Sequence, residues 1–60
     1  MTGKEFKLWR KGKDIMQKEV ANYINCSIAY VSLFENEKVQ ASTQFIRKYM
    51  QFIEQFENKA

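Results

Sequence analysis

The sequence predicts an all-α domain of four helices, and three observations predict it. The 60-residue chain has no proline, and its two glycines, Gly3 and Gly12, both lie near its start. Helix is therefore the default state, interrupted only by polar clusters. Apolar residues recur at spacings of three and four along most of the chain, the period of a helix with one buried face. Thr2, Ser27 and Ser42 stand ahead of three of these stretches, and such residues cap helix starts by accepting an orphan backbone N–H.

Taken in order, the first helix starts at Thr2. Thr2-Gly3-Lys4-Glu5 fits a capping box, in which each end residue bonds the other's free N–H. Phe6, Trp9 and Arg10 share one face. Lys11-Gly12-Lys13 ends the helix, with Gly12 expected as its left-handed cap. Asp14 with Gln17 is placed to cap the second helix, with a start nearer Met16 as the alternative. Val20, Ala21 and Ile24 give that helix its buried face, and it stops at Asn25-Cys26, since Asn tolerates left-handed backbone angles. Ser27 caps a third helix that turns Val31 and Phe34 inward and runs to about Glu35. Residues 36–42 read as a loop. Ser42 or Thr43 caps a last, long helix over about 43–57.

Composition excludes several functions. Five Phe, three Tyr and one Trp carry too much apolar surface for a disordered chain. With no His and one Cys, Cys26, neither a disulfide framework nor a zinc site is expected, and Cys26 reads as a small core residue. The usual general base is missing, and the carboxylates are scattered, so the expectation is no enzyme and no cofactor. No apolar run approaches the roughly 18 residues of a membrane span. The N-terminus lacks a signal-peptide core, so the expected location is the bacterial cytoplasm, at the nucleoid. At 60 residues, one domain over 1–60 is expected, of marginal stability. The net charge is +3, and Lys4, Lys7, Arg10, Lys11, Lys13 and Lys18 crowd the first third. Such a cluster suits phosphate groups, although a solvated helix face has the same look.

The second and third helices, joined through Ile24-Asn25-Cys26-Ser27, make a helix-turn-helix unit over residues 17–36. In that motif the second helix enters the major groove and the first crosses the DNA backbone. The residues Gln17-Lys18-Glu19-Val20-Ala21-Asn22-Tyr23-Ile24-Asn25-Cys26-Ser27, then Val31-Ser32 and Phe34-Glu35-Asn36, resemble the Cro and phage-repressor (XRE) family. With Arg10 the resemblance spans residues 6–38, and it extends more weakly to the last helix.

The resemblance implies a lambda-repressor-like helix-turn-helix fold, of five helices if the last is split in two, as the family often has it. It implies that Gln17 bonds a phosphate and buttresses the reading helix, and that Ala21 sits where two helices cross. It implies a structural ion pair between Arg10 and Glu35. Ser27, Ile28, Ala29, Tyr30, Ser32 and Leu33 match the positions that read bases or flanking phosphates. Apart from the resemblance, Lys11, Lys13, Lys18 and Lys38 are each candidates for phosphate contact, with a solvated lysine as the alternative. Two departures stand out: Asn25 replaces a turn glycine, and Glu37 replaces the glycine that usually follows the third helix. Residues 25–33 carry no charge, so the bidentate contacts that Arg, Lys, Asn and Gln make to G or A are missing from the reading helix. Ile28, Ala29 and Leu33 suit thymine methyls, hence A·T-rich double-stranded DNA.

Phe45, Tyr49, Phe52 and Phe56, with Ile46, Met50 and Ile53 alongside, form a stripe wider than one core contact needs. Either it closes a tiny core, or Tyr49, Phe52, Ile53 and Phe56 pair with a second copy to make a homodimer. The expected function is a sequence-specific transcriptional regulator, a repressor of phage or mobile-element type. The alternative is a protein-interaction module, an antirepressor or corepressor that grips a second regulator through the same uncharged face.

Overall fold

The computed structural model describes residues 2–57 as four helices with no strand among the described residues. The first, α1, runs Gly3–Gly12. Its start is the expected capping box: Glu5 N–H donates to Thr2 Oγ1 at 3.2 Å, and Thr2 N–H donates to Glu5 Oε1 at 2.7 Å. That backbone hydrogen bond holds the Glu5 carboxyl below its ordinary range.

The helix ends supply two corrections. Gly12 is not a left-handed cap; it stays inside α1, and the chain turns at Asp14, with φ 58°. The N–H of Ile15 reaches back to the Arg10 carbonyl at 3.2 Å and that of Asp14 to Lys11 at 3.1 Å. This is the paired 6→1 and 5→2 pattern of a Schellman end. Asp14 is thereby spent on closing α1 and does not cap α2, which runs Gln17–Ile24. Met16 takes the extended N-cap conformation instead, and its N–H donates to Glu19 Oε2 at 2.9 Å.

The next two ends follow suit. Asn25 is left-handed at φ 70°, and Cys26 N–H bonds the Ala21 carbonyl at 2.9 Å. Ser27 Oγ then accepts Tyr30 N–H at 3.1 Å and starts α3, Ile28–Glu35. At its far end Glu37 is left-handed at φ 59°, with Lys38 N–H on the Leu33 carbonyl at 2.8 Å and Glu37 N–H on Phe34 at 3.0 Å. All three turns are therefore left-handed without a glycine. Asp and Asn have short side chains that tolerate this; Glu does not, and for such residues the conformation costs about 1–2 kcal/mol. Glu37→Gly is expected to raise stability by about 0.5–1 kcal/mol once the entropy of glycine is subtracted, read as a higher urea midpoint with an unchanged slope. An unaltered midpoint would mean that the turn is unstrained.

Ser42 caps α4, Thr43–Glu57, by accepting Phe45 N–H at 3.1 Å. The helix is unbroken, so no fifth helix arises among the described residues. None of the helices is long and apolar enough to cross a membrane.

α2 packs on α3 and α4, and α1 closes over α3 and α4. Phe6 sits at the centre, its ring 4.8 Å from Tyr49, 5.6 Å from Phe34 and 6.0 Å from Trp9. Val20, Ala21, Ile24, Val31 and Phe34 are buried as their spacing predicts. On α4 the inward row is Phe45, Tyr49 and Ile53. This corrects the expected dimer face: Tyr49 and Ile53 are both 0% exposed within this one chain, so neither can meet a second copy. Phe52 is half-buried and Phe56 exposed. They continue outward as a ladder, with Tyr23 4.8 Å from Phe52 and Phe52 4.9 Å from Phe56. Gly3 is buried for a separate reason. A Cβ there would lie 2.0 Å from the Phe34 carbonyl oxygen, so the start of α1 rests directly on the backbone of α3.

Candidate nucleic-acid interface

The outward face of α3 is held by a buried polar network beneath it. Arg10 comes from the last turn of α1 and Glu35 from the last residue of α3. Arg10 Nε donates to Glu35 Oε2 at 2.8 Å and Nη2 donates to Oε1 at 3.0 Å, the two-pronged geometry that suits guanidinium and carboxylate. Arg10 Nη1 donates to the Ile15 carbonyl at 2.7 Å, tying the α1–α2 turn to the pair. Gln17 Nε2 donates to Glu35 Oε1 at 3.0 Å, and the Tyr49 hydroxyl donates to Oε2. One carboxylate thus fastens all four helices together. No buried side-chain N or O among the described residues lacks a partner.

Burial pushes the Glu35 carboxyl up, but the bonds from Arg10, Tyr49 and Gln17 and the charge of Arg10 outweigh it and hold the group below its ordinary value. The Tyr49 hydroxyl is pushed well above its usual range, by burial first and then by the neighbouring carboxylate. The network therefore stays ionised at Glu35 and protonated at Tyr49 throughout the neutral range.

Above it, α3 shows an uncharged face. Ile28 is 49% and Leu33 42% exposed; Ala29 is exposed between them and Ser32 half-buried. Three of the residues expected to read bases are partly occupied. Tyr30 is half-buried and packs edge-on against Phe45, with centroids 5.0 Å apart, so much of its ring belongs to the core. Ser27 Oγ is engaged in capping α3. Ser32 Oγ lies 3.4 Å from Asn36 Nδ2. Gln17 has one amide hydrogen turned inward to Glu35, which fits the buttress more than the phosphate. Cys26 packs against the core, and burial pushes its thiol up.

Lysines stand at both ends of α3. Beyond its C-terminal end is exposed Lys38. Beside its N-terminal end a groove runs between α1 and α2, lined by Lys7, Lys11, Met16, Gln17, Lys18 and Ile28, with Arg10 in its wall. Lys7 and Met16 were not singled out as site residues from sequence. The signal was the spacing of Lys7 and Lys11, one helical turn apart, which places both on the α2 side once the direction of Arg10 is known.

No protein-family model, curated protein or solved structure matches the chain.

Proposed function

We propose that the protein is a sequence-specific regulator of transcription that lays α3 in the major groove of A·T-rich double-stranded DNA, in the manner of the Cro and phage-repressor (XRE) family. The observation that carries this is the outward face of α3: small, uncharged, rigidly mounted and flanked by lysines. Ile28, Ala29 and Leu33 offer methyl surface to thymine, and Ser32 offers a hydroxyl that bonds either base of a pair. Affinity comes from Lys18, Lys38 and their neighbours on the phosphates, which position the protein without reading sequence. Binding at a promoter suffices to repress. Pairing of two copies on adjacent half-sites uses Phe52 and Phe56, the part of the α4 stripe left outside the core.

Selection of the purified chain on a randomised duplex library tests this. An enriched A·T-rich inverted repeat is expected. A single enriched half-site would remove the dimer and keep the DNA function. Absence of enrichment at low salt would overturn the proposal. Within the enriched site, Ser32→Ala is expected to relax preference at one or two positions, a loss of about 1–3 kcal/mol per base contact. Tyr30→Phe is the matching probe of the Tyr30 hydroxyl, because it keeps the ring against Phe45.

Exposed Ile28 and Leu33 also favour a second reading, an antirepressor or corepressor that grips another regulator through this face. The two differ in salt response: DNA binding weakens steeply as salt rises, whereas an apolar protein contact does not.

A further inference from the structure

We infer that the groove between α1 and α2 is a seat for the DNA backbone, with Lys7 and Lys11 of α1 joining Lys18 of α2 as its cationic wall. This rests on the DNA-binding proposal and assigns to that same interface a phosphate site built largely from outside the helix-turn-helix unit.

The residues around the groove narrow down what it can hold. Arg10 lies in the wall, but its guanidinium is committed to Glu35 and the Ile15 carbonyl. Its charge is balanced by Glu35. Gln17 has an amide hydrogen on the same carboxylate. What remains of the lining is three lysines, Lys7, Lys11 and Lys18, beside Met16 and Ile28, with no carboxylate residue in the lining among the described residues. Three like charges around one depression repel each other, and an anion entering it relieves that repulsion. Met16, 62% exposed, and Ile28 supply apolar surface, which suits deoxyribose better than a small hydrated ion. Ile28 is also the first residue of α3, so the groove is continuous with the outward face. A helix lying in a major groove about 12 Å wide has a sugar-phosphate strand along each flank, and lysine stems span that gap. The ligand class is therefore a run of nucleic-acid phosphates, with Lys7 and Lys11 following the strand along one turn of α1.

Two double variants of equal net charge separate site from bulk charge. Lys7→Gln with Lys11→Gln removes two charges from the groove; Arg47→Gln with Lys48→Gln removes two from α4. Each takes the chain from +3 to +1, since 3 − 2 = 1. Gln keeps most of the aliphatic stem, and far-ultraviolet circular dichroism checks that both fold. Binding to a 20-base-pair duplex is followed by fluorescence anisotropy from about 50 to about 200 mM salt, where each lost phosphate contact lowers the logarithmic salt slope by about 0.9. The groove pair is expected to lower the slope by about two, so the loss of affinity across that range shrinks roughly tenfold. Adding Lys18→Gln takes the reduction to about three. The α4 pair is expected to lower the slope by less than one. Equal slopes for the two doubles would overturn the groove site while leaving DNA binding intact. Failure of the unaltered chain to bind the duplex at low salt would remove both. Equal competition by polyglutamate, at matched charge, would reassign the groove to an acidic protein surface and overturn the inference.

Discussion

Glu35→Ala is expected to destabilise the protein by about 3–5 kcal/mol, the range for removing one partner of a buried ion pair. The side chains of Arg10 and Glu35 are 7% and 1% exposed. Deleting the carboxylate leaves a buried guanidinium with two of its donors unmet. Gln17 and Tyr49 lose their acceptor in the same step, and each orphaned donor adds a desolvation penalty. A chain of 60 residues has little stability in reserve, so urea melts should show a mostly unfolded variant at room temperature. Arg10→Ala should lose a similar amount and the double Ala variant less than the sum, because the second deletion removes the charge that the first stranded. Simple addition of the two losses would mean that Arg10 and Glu35 act on separate parts of the fold.

The same carboxylate sets the acid limit. Its folded value lies below the ordinary 4.5, so below about pH 4.5 the unfolded chain takes up a proton that the folded chain refuses. The sign follows: this stabilisation is complete above about pH 4.5 and is lost as pH falls toward the folded value, at up to about 1.4 kcal/mol per pH unit. Glu5 is shifted in the same direction, so the difference between wild type and Glu35→Gln isolates the network. That difference should shrink on acidification; a pH-independent difference would contradict the assignment. Tyr49 sets an alkaline limit. With its hydroxyl raised above the ordinary 10.0, its contribution holds below about pH 10 and is lost as pH rises further.

How much of this was legible in the sequence depends on how local the cause is. Caps at Thr2, Ser27 and Ser42 involve partners three residues away, and spacing alone locates them. The left-handed residue Asn25 was readable because Asn favours that conformation. Asp14 was not, because local preference points to Gly12; the turn falls later because α1 continues through Gly12, and the carbonyls of Arg10 and Lys11 receive the bonds that close it. α3 is apolar nearly all round, so its period does not say which side turns inward; only the resemblance places Tyr30 on the reading face, and the packing of its ring against Phe45 is a tertiary contact that the period does not reveal. The α4 stripe was visible as apolar surface. Which part of it is core depends on how far α1 and α2 reach along it: Phe6 meets Tyr49 and Tyr23 meets Phe52, contacts made across 43 and 29 residues of chain. The groove lysines sat in plain view within a charge cluster. Their one-turn spacing pairs Lys7 with Lys11, but it is the placement of α1 beside the start of α2 that puts them in the groove.

Gly3→Ala is the second large expected effect, and here local and tertiary preferences have opposite signs. Within a helix, Ala is favoured over Gly by up to about 1 kcal/mol. At Gly3 the added methyl carbon would stand 2.0 Å from the carbonyl oxygen of Phe34, 3.0 Å from its carbonyl carbon and 3.3 Å from Glu35 Cα. All three are backbone atoms, so no rotamer change relieves the overlap. α1 must lift off α3 by about an ångström or more, the distance by which 2.0 Å falls short of an ordinary contact. That movement pulls Phe6 from the centre of the core and Arg10 from Glu35. Overpacking a close-packed site costs about 1–3 kcal/mol, and the rigid neighbour puts the expected loss near about 3 kcal/mol, seen as a lower urea midpoint. Gly12 provides the internal contrast. It is helical, has no positive φ, and a Cβ there meets nothing within 4 Å. Gly12→Ala is therefore expected to stabilise by about 0.5–1 kcal/mol through propensity alone. Opposite shifts from the same substitution, nine residues apart on one helix, would show that α1 is seated backbone to backbone on the end of α3. Stabilisation by both would mean that α1 sits farther from α3, and the Arg10–Glu35 geometry would then fall with it.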